Sequence, residues 1–357
     1  MRLNRVSGSL LLPVALVVLV AFGCATRLSR PEVPQESVEA ERRAQSKLAL
    51  SLLLERQTRV WGLGLRVRVA GAELCGSDVR YAFGFFALDR QTFSDSYQEV
   101  ASDLGIEPGV RIWELMPGFG GTGPALEPGD RIFSIDDRPV TDLSSFEKTM
   151  QKPFSTGRLS IKLIRASGEE IDAFLEGVRS CDYRVAVAEN DAVNAYADGK
   201  NVILATGMVR FVDSDDEMAL VVGHELAHNA LGHLRQKRAQ TFAGVLVDLA
   251  IAIFGGVDTG GVFTQLGGIV FSEEMEKDAD YMGLYFAARA GYEISVAPDF
   301  WRRMAVEHPA TIKDNMLATH PSSPERSVAL RQVVAEIERK RAEERPLRPE
   351  FERPVRQ

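Results

Sequence analysis

The stretch that decides the fold is Met218-Ala219-Leu220-Val221-Val222-Gly223-His224-Glu225-Leu226-Ala227-His228. Its apolar run predicts a buried helix that carries two histidines at its end. Residues four apart on a helix lie on the same face, so His224 and His228 can bind one metal ion. Glu225 lies one position further round the helix, beside the same ion.

A second polar pair follows at Glu276 and Asp280, which are also four residues apart in apolar surroundings. The H-E-x-x-H pattern is typical of zinc peptidases but also occurs by chance in helices. A tetrahedral zinc site needs a third protein ligand. Because polar pairs in apolar surroundings are costly without a partner, a shared zinc ion, one per chain, explains both pairs.

Length, composition and charge narrow the class of protein to which the chain can belong. The chain has 357 residues, enough for two domains and tails, and it is 45% hydrophobic and 26% charged, as in ordinary globular proteins. The net charge of −8 excludes the basic footprint of a nucleic-acid-binding protein.

The N-terminus has the features of a bacterial lipoprotein leader. Arg2 and Arg5 precede an apolar run at 10–22, too short for a confident membrane span. Residues 21–24 resemble a lipobox, which predicts a signal peptide over 1–23 and lipidation of Cys24. The alternatives are an uncleaved anchor or ordinary secretion.

This leader predicts a location in the bacterial envelope, with a lipid anchor in the membrane and the protein facing the periplasm. Residues 24–37 form the tether, and the absence of aspartate after Cys24 favours the outer membrane. In an oxidising compartment, Cys75 and Cys181 are disulfide candidates, and a bridge would clamp the segment between them at its neck. The alternative is two free buried thiols.

Residues 38–79 are predicted to form a helix and a strand that pack on a protease domain. The helix is expected near 38–58. Beyond it Leu65, Val67 and Val69 alternate with two arginines, which predicts the strand.

Residues 80–178 form a β-rich segment that resembles a PDZ domain of the kind attached to envelope proteases. The resemblance rests on Pro-Gly-Asp-Arg-Ile-x-x-Ile at 128–135, with Pro139-Val140 after it. Such domains add an extended peptide to a sheet edge. The glycine-rich stretch at 118–123 replaces the usual start of a helix, so peptide binding stays open beside a spacer or shield role.

Residues 183–335 resemble gluzincin zinc peptidases of the HtpX and CAAX-prenyl-protease type. The stretches that carry the resemblance are Asn194-Ala195-Tyr196-Ala197, the Gly207 turn, His224 to His228, Glu276 to Asp280 with Gly283, Ala290-Gly291-Tyr292, and His320-Pro321 with Arg326. The resemblance implies an α+β fold: a mainly helical zincin-type domain over 179–344 with a small β-sheet, beside the PDZ-like domain. Residues 345–357 are predicted to be a disordered tail.

The resemblance implies specific roles. His224, His228 and Glu276 would be the zinc ligands, Glu225 the general base, and Asp280 the acceptor that holds a ligand histidine by its other ring nitrogen.

Three further features have roles that the sequence leaves open. His320 and Arg326 would bind substrate or stabilise the oxyanion, or His320 would cap the zinc in a resting state. His233, five residues after His228, is predicted to be turned away from the ligand face and to be a structural or surface residue. The glycine-rich stretch at 255–268 is a candidate lid.

The predicted function is a zinc-dependent endopeptidase that cleaves envelope proteins or peptides, with a role in protein quality control. The alternative is a latent protease that acts mainly as a PDZ-mediated peptide-binding or chaperone-like module. An intramembrane prenyl-type protease is disfavoured because its multiple membrane spans are missing from the pattern.

Overall fold

The structure, a computed structural model, describes residues 31–152, 154, 156–240, 271–307, 320 and 324–350. The predicted signal peptide, the lipidation site at Cys24, the glycine-rich stretch at 255–268 and the last seven residues lie outside the described residues. The chain divides into two compact units, residues 1–41 and 42–357, and the contacts below lie within the second.

The described helices are distributed along the whole chain. Their bounds are α1 Gln35–Ala70, α2 Asp95–Ala101, α3 Leu143–Met150, α4 Thr206–Phe211, α5 Asp215–Ala230, α6 His233–Gln240, α7 Glu273–Arg289, α8 Ala297–Glu307 and α9 Pro324–Ala342. Among these described elements, none combines the length and apolarity needed to cross a bilayer.

The strands fall into two groups, one before and one after residue 183. Their bounds are β1 Val79–Ala82, β2 Phe85–Asp89, β3 Val110–Leu115, β4 Gly121–Thr122, β5 Arg131–Ile135, β6 Arg138–Pro139, β7 Arg158–Ile164, β8 Glu170–Glu176, β9 Val178–Cys181, β10 Arg184–Ala188, β11 Ala195–Ala197 and β12 Asn201–Ala205. With the helices they confirm the predicted α+β class.

These strands build three sheets. The large sheet is antiparallel, in the order β2-β3-β5-β7-β8-β4, with β6 paired to β5. Its core follows from alternation, since Leu159, Ile161 and Leu163 of β7 are buried while their neighbours face outward. The small sheet has the order β10-β12-β11, with β10 parallel and β11 antiparallel to β12.

A two-stranded ribbon connects the large sheet to the rest of the chain. The chain enters through β1 and leaves through β9, which pair antiparallel from Val79 with Cys181 to Ala82 with Val178. Cys75 and Cys181 form a disulfide with their Cα atoms 5.6 Å apart. The bond lies at the base of this ribbon, where the two ends of the inserted segment meet.

The strand predicted for residues 65–69 is wrong, because these residues are the last turns of α1. The buried positions Val60, Leu63, Gly64 and Val67 recur with helical spacing, so one face of the helix is covered. Five alternating residues are too few to separate a strand from the end of a long helix.

Helix α1 contributes to two hydrophobic cores. Leu50 and Leu54 pack in one cluster with Leu88 of β2, while Val60 and Val67 belong to the core that holds the small sheet, α5 and α7. One continuous helix therefore packs against both the inserted segment and the protease-like part.

Residues 345–350 are held against the preceding helices, so the predicted disorder is wrong for them. Lys340 Nζ donates to the carbonyl oxygen of Arg348 at 2.9 Å, and Arg289 Nη1 donates to that of Leu347 at 3.0 Å. The proline- and arginine-rich composition of these residues does not reveal the contacts, because the donor side chains lie elsewhere in the chain, in α7 and α9.

We predict opposite effects for two glycines in α1. A Cβ at Gly64 would lie 2.6 to 2.9 Å from the branched side chain of Val185, whereas one at Gly62 would meet only Met116 Cε, at 3.5 Å. Gly62→Ala should stabilise by up to about 1 kcal/mol through helix propensity. Gly64→Ala should destabilise by about 1–3 kcal/mol because α1 must move off β10. Urea unfolding of both variants measures this difference, and equal midpoints would contradict the packing described.

Candidate metal centre

Two capped helices carry the predicted ligands. Ser214 Oγ accepts the N–H of Glu217 at 3.2 Å at the start of α5, and Ser272 Oγ accepts the N–H of Met275 at 3.3 Å at the start of α7. Helix α7 ends before Gly291, whose φ of +85° suits the left-handed turn that follows.

Glycines allow these two helices to lie unusually close. A Cβ at Gly223 would stand 2.5 Å from the carbonyl oxygen of Gly283, and a Cβ at Gly283 would stand 2.9 Å from the Cα of His224. Any side chain at either position would separate the backbones. The contact places the end of α5 directly against the face of α7 that bears Glu276 and Asp280.

Three of the predicted ligands converge in the interior. The Nε2 atoms of His224 and His228 are 3.1 Å apart. His228 Nε2 lies 3.4 Å from Glu276 Oε1, and His224 Nε2 lies 3.5 Å from Glu276 Oε2. All three residues are at most 1% exposed, so the cluster lies in the protein interior.

His320 completes a four-residue cluster. Its Nδ1 lies 2.9 Å from Glu276 Oε1 and 3.3 Å from His224 Nε2. Its Nε2 lies 3.4 Å from Glu225 Oε1. One ligand atom from each of His224, His228, Glu276 and His320 lies within 4.8 Å of the others.

The spacing of these atoms fits a tetrahedral zinc ion. Zinc–nitrogen bonds of about 2.0–2.1 Å place tetrahedral ligand atoms roughly 3.3 Å from one another. Five distances among these residues lie between 2.9 and 3.5 Å when both oxygens of Glu276 are counted, and a set with one atom from each of the four residues lies within 4.8 Å. Among the described residues, no hydrogen-bond partner meets the buried Nε2 of His320 or Oε2 of Glu225, which is unusual for buried polar atoms.

Asp280 and Arg326 contact residues of the cluster: Asp280 contacts His224, and Arg326 contacts Glu276. Asp280 Oδ1 lies 3.0 Å from the Nδ1 of His224. Arg326 donates to both oxygens of Asp280 at 2.8 Å, and its Nη1 lies 3.2 Å from Glu276 Oε2. The Arg326 side chain is only 6% exposed, and its guanidinium contacts two buried carboxylates.

The charges in the cluster differ from residue to residue. Burial opposes a charge on His224, but hydrogen bonds to Asp280 and Glu276 outweigh it and raise the pKa of His224 to about 10. Burial lowers the pKa of His228 to about 3. Burial also raises the pKa of Glu225. At His228, which Asp280 does not contact, the single carboxylate of Glu276 does not offset burial.

His233 is placed differently from the prediction. Its Nδ1 lies 3.0 Å from the Nδ1 of His228, and it is 3% exposed. Helix α5 ends at Ala230, and Gly232 takes a φ of +69°, so the chain turns back and returns His233 to the ligand side. The prediction assumed that the helix continued; the Leu231-Gly232 stop signal could have corrected it.

The small sheet borders the same site. Strand β11 is at the edge of that sheet and packs against α5. The backbone N–H of Ala197 in β11 is near enough to the carboxylate of Glu225 to lower its pKa, against the larger opposing effect of burial. The edge strand of the small sheet is therefore next to the helix that carries Glu225.

Comparison with known proteins identifies relatives of this region. Residues 167–334 match the model of peptidase family M48. A beta-barrel assembly-enhancing protease of Yersinia pestis is 26% identical over 223 residues, 58% of this chain and 45% of the relative. Mitochondrial metalloendopeptidase OMA1 of Arabidopsis thaliana is 31% identical over 160 residues, 44% of this chain and 32% of the relative.

The human metalloendopeptidase OMA1 is 23% identical over 197 residues, 50% of this chain and 38% of the relative. The chain thus covers between about a third and just under half of the length of these three relatives.

We predict that Gly283→Ala weakens metal binding as well as stability. The added methyl group would meet the backbone of His224, so α5 and α7 must separate and the ligand atoms with them. The fold should lose about 1–3 kcal/mol, measured by urea unfolding of the metal-free protein. Zinc affinity, measured by chelator competition, should fall as well, and unchanged affinity would contradict the proposed dependence on this contact. Gly62→Ala, distant in α1, is the control.

Proposed function

We propose that this chain is a zinc-dependent endopeptidase acting on proteins of the bacterial envelope, because residues 167–334 match the model of peptidase family M48. The observation that carries the proposal is the convergence of His224, His228 and Glu276 on one buried point. The envelope role is supported by the relatives named beta-barrel assembly-enhancing proteases. Protein quality control is the corresponding biological role.

His224, His228 and Glu276 would hold the zinc ion. When bound, zinc polarises a peptide carbonyl and lowers the pKa of water toward about 7. Asp280, whose Oδ1 lies 3.0 Å from His224 Nδ1, would accept the Nδ1 proton of His224 and so leave the lone pair of Nε2 for the metal. Arg326, bonded to Asp280 and next to Glu276, keeps both carboxylates ionised and in place.

Glu225 is the general base of this proposal. Its carboxylate lies beside the ligand cluster, takes a proton from the attacking water and delivers it to the leaving amine. An extended substrate would pair with β11, because this strand lies at the edge of the small sheet and packs against the helix that carries Glu225.

His320 supports a second candidate, a latent protease in a resting state. Its ring lies against both Glu276 and Glu225, where it would cap the zinc and occupy the space that water and substrate need. We propose that His320 must leave this position before the site can act. The activity would then be regulated by the access of water and substrate to the site rather than by assembly of the site.

We propose that residues 80–178 are a PDZ-like domain serving as a spacer or shield. The large antiparallel sheet and α3 support the resemblance. Strand β2 lies at an edge of this sheet, and all five of its residues are buried, partly by Leu50 and Leu54 of α1. This burial favours a structural role over capture of peptide termini at that edge.

The proposed location rests on the sequence. The leader at 1–23 and Cys24 support a lipid-anchored protein that faces the periplasm, in the outer membrane by preference. Protein or peptide substrates and the membrane are its expected partners.

We predict that Glu225→Gln keeps zinc and loses proteolysis, whereas His224→Ala loses zinc. Glu225→Gln should lower the cleavage rate roughly 100- to 10,000-fold, the typical contribution of a general base. Both variants are compared with the unsubstituted chain and in a His320→Ala background, using a quenched fluorescent casein and elemental analysis. His320→Ala alone should raise the rate, because it removes the ring that lies against Glu276 and Glu225. Unchanged cleavage by Glu225→Gln would exclude the proposed mechanism.

A further inference from the structure

The two ligand histidines have different partners at their second ring nitrogens. His224 Nδ1 lies 3.0 Å from a carboxylate oxygen of Asp280. His228 Nδ1 lies 3.0 Å from another imidazole, the Nδ1 of His233. His233 was assigned no role in the reaction, yet it is 3% exposed and lies within hydrogen-bond distance of a proposed metal ligand.

The chemistry of this pair allows a single arrangement of protons. A ring nitrogen that binds a metal presents its lone pair, so the proton of neutral His228 is on Nδ1. His233 Nδ1 must then accept that proton, and a neutral His233 carries its own proton on Nε2. The acceptor fixes both the tautomer and the ring orientation of His228.

The surrounding packing leaves His228 little alternative. Phe271 stacks on its ring, with centroids 4.1 Å apart and planes at 29°. His228 itself is 1% exposed. Without His233, the Nδ1–H would be buried against an apolar wall without this acceptor, a state that typically costs 1–3 kcal/mol. Rotation of the ring to recover a partner would move Nε2 away from the metal.

We propose that His233 is a positioning residue that accepts the Nδ1 proton of His228 and holds Nε2 of His228 toward the metal. This inference rests on the proposed function, because it requires a metal at the cluster. It also gives a purpose to the turn at Gly232, which returns His233 to the ligand side. His233 takes no part in proton transfer to substrate, and its effect appears first in metal affinity.

The test compares three substitutions in the full chain. His233→Leu has similar bulk and no acceptor. His233→Asn places an amide oxygen close to the position of Nδ1 and restores an acceptor. Arg235→Ala changes an exposed neighbour on α6, whose side chain is 70% exposed. Zinc affinity is measured by competition with a fluorescent chelator, and the Tm of each metal-free protein reports damage to the fold.

The expected result is a loss of zinc affinity of about 10- to 100-fold in His233→Leu, the usual effect of removing such a partner. His233→Asn should recover most of it, and Arg235→Ala should match the unsubstituted chain. Equal affinity in His233→Leu and the unsubstituted chain would overturn the inference. Equal losses in the Leu and Asn variants would overturn it too, because they would indicate a packing role.

The same titration separates this inference from the proposed function. If the unsubstituted chain binds no zinc, or if His224→Ala binds it equally well, the proposed metal site is wrong and the inference fails with it. If the unsubstituted chain binds one zinc ion and His233→Leu binds it as tightly, only the role of His233 is wrong.

Discussion

The close contact between α5 and α7 is the constraint on which the site depends. Gly223 and Gly283 let the two backbones approach to a distance that no side chain permits. Because both helices are capped and buried, this contact fixes their rotation and their register together. Two histidines from one helix and a carboxylate from the other then meet at a single point, although neither helix could build the site alone.

The electrostatics of the site follow from that approach. Glu276 and Asp280 are buried side by side on one face of α7, and such carboxylates are costly without cations. Arg326 supplies one positive charge to both of them. A zinc ion would supply a second positive charge at the point where the ring nitrogens converge with Glu276. His320 lies on the remaining side of that point.

Helical spacing was enough to predict that His224 and His228 share one face of a helix and that Glu276 and Asp280 share another, and the structure brings these two pairs together. Predictions from spacing were wrong where a helix ended earlier or continued further than the local pattern indicated. His233 was assigned to the wrong side because the helix stops at Ala230, and 65–69 were assigned to a strand because a local alternation hid a long helix. The contacts of Arg326 and of residues 345–350 depend on partners distant in sequence, which no local pattern reveals.

The central claim is that His224, His228 and Glu276 form one zinc site. Diffraction from crystals of the zinc-loaded protein, with anomalous data on both sides of the zinc edge, tests it directly. The account predicts one zinc peak per chain, bonded to Nε2 of His224, Nε2 of His228 and the carboxylate of Glu276 at about 2.0–2.2 Å. A peak bonded to Asp280 instead of Glu276, or no peak at this point, would contradict it.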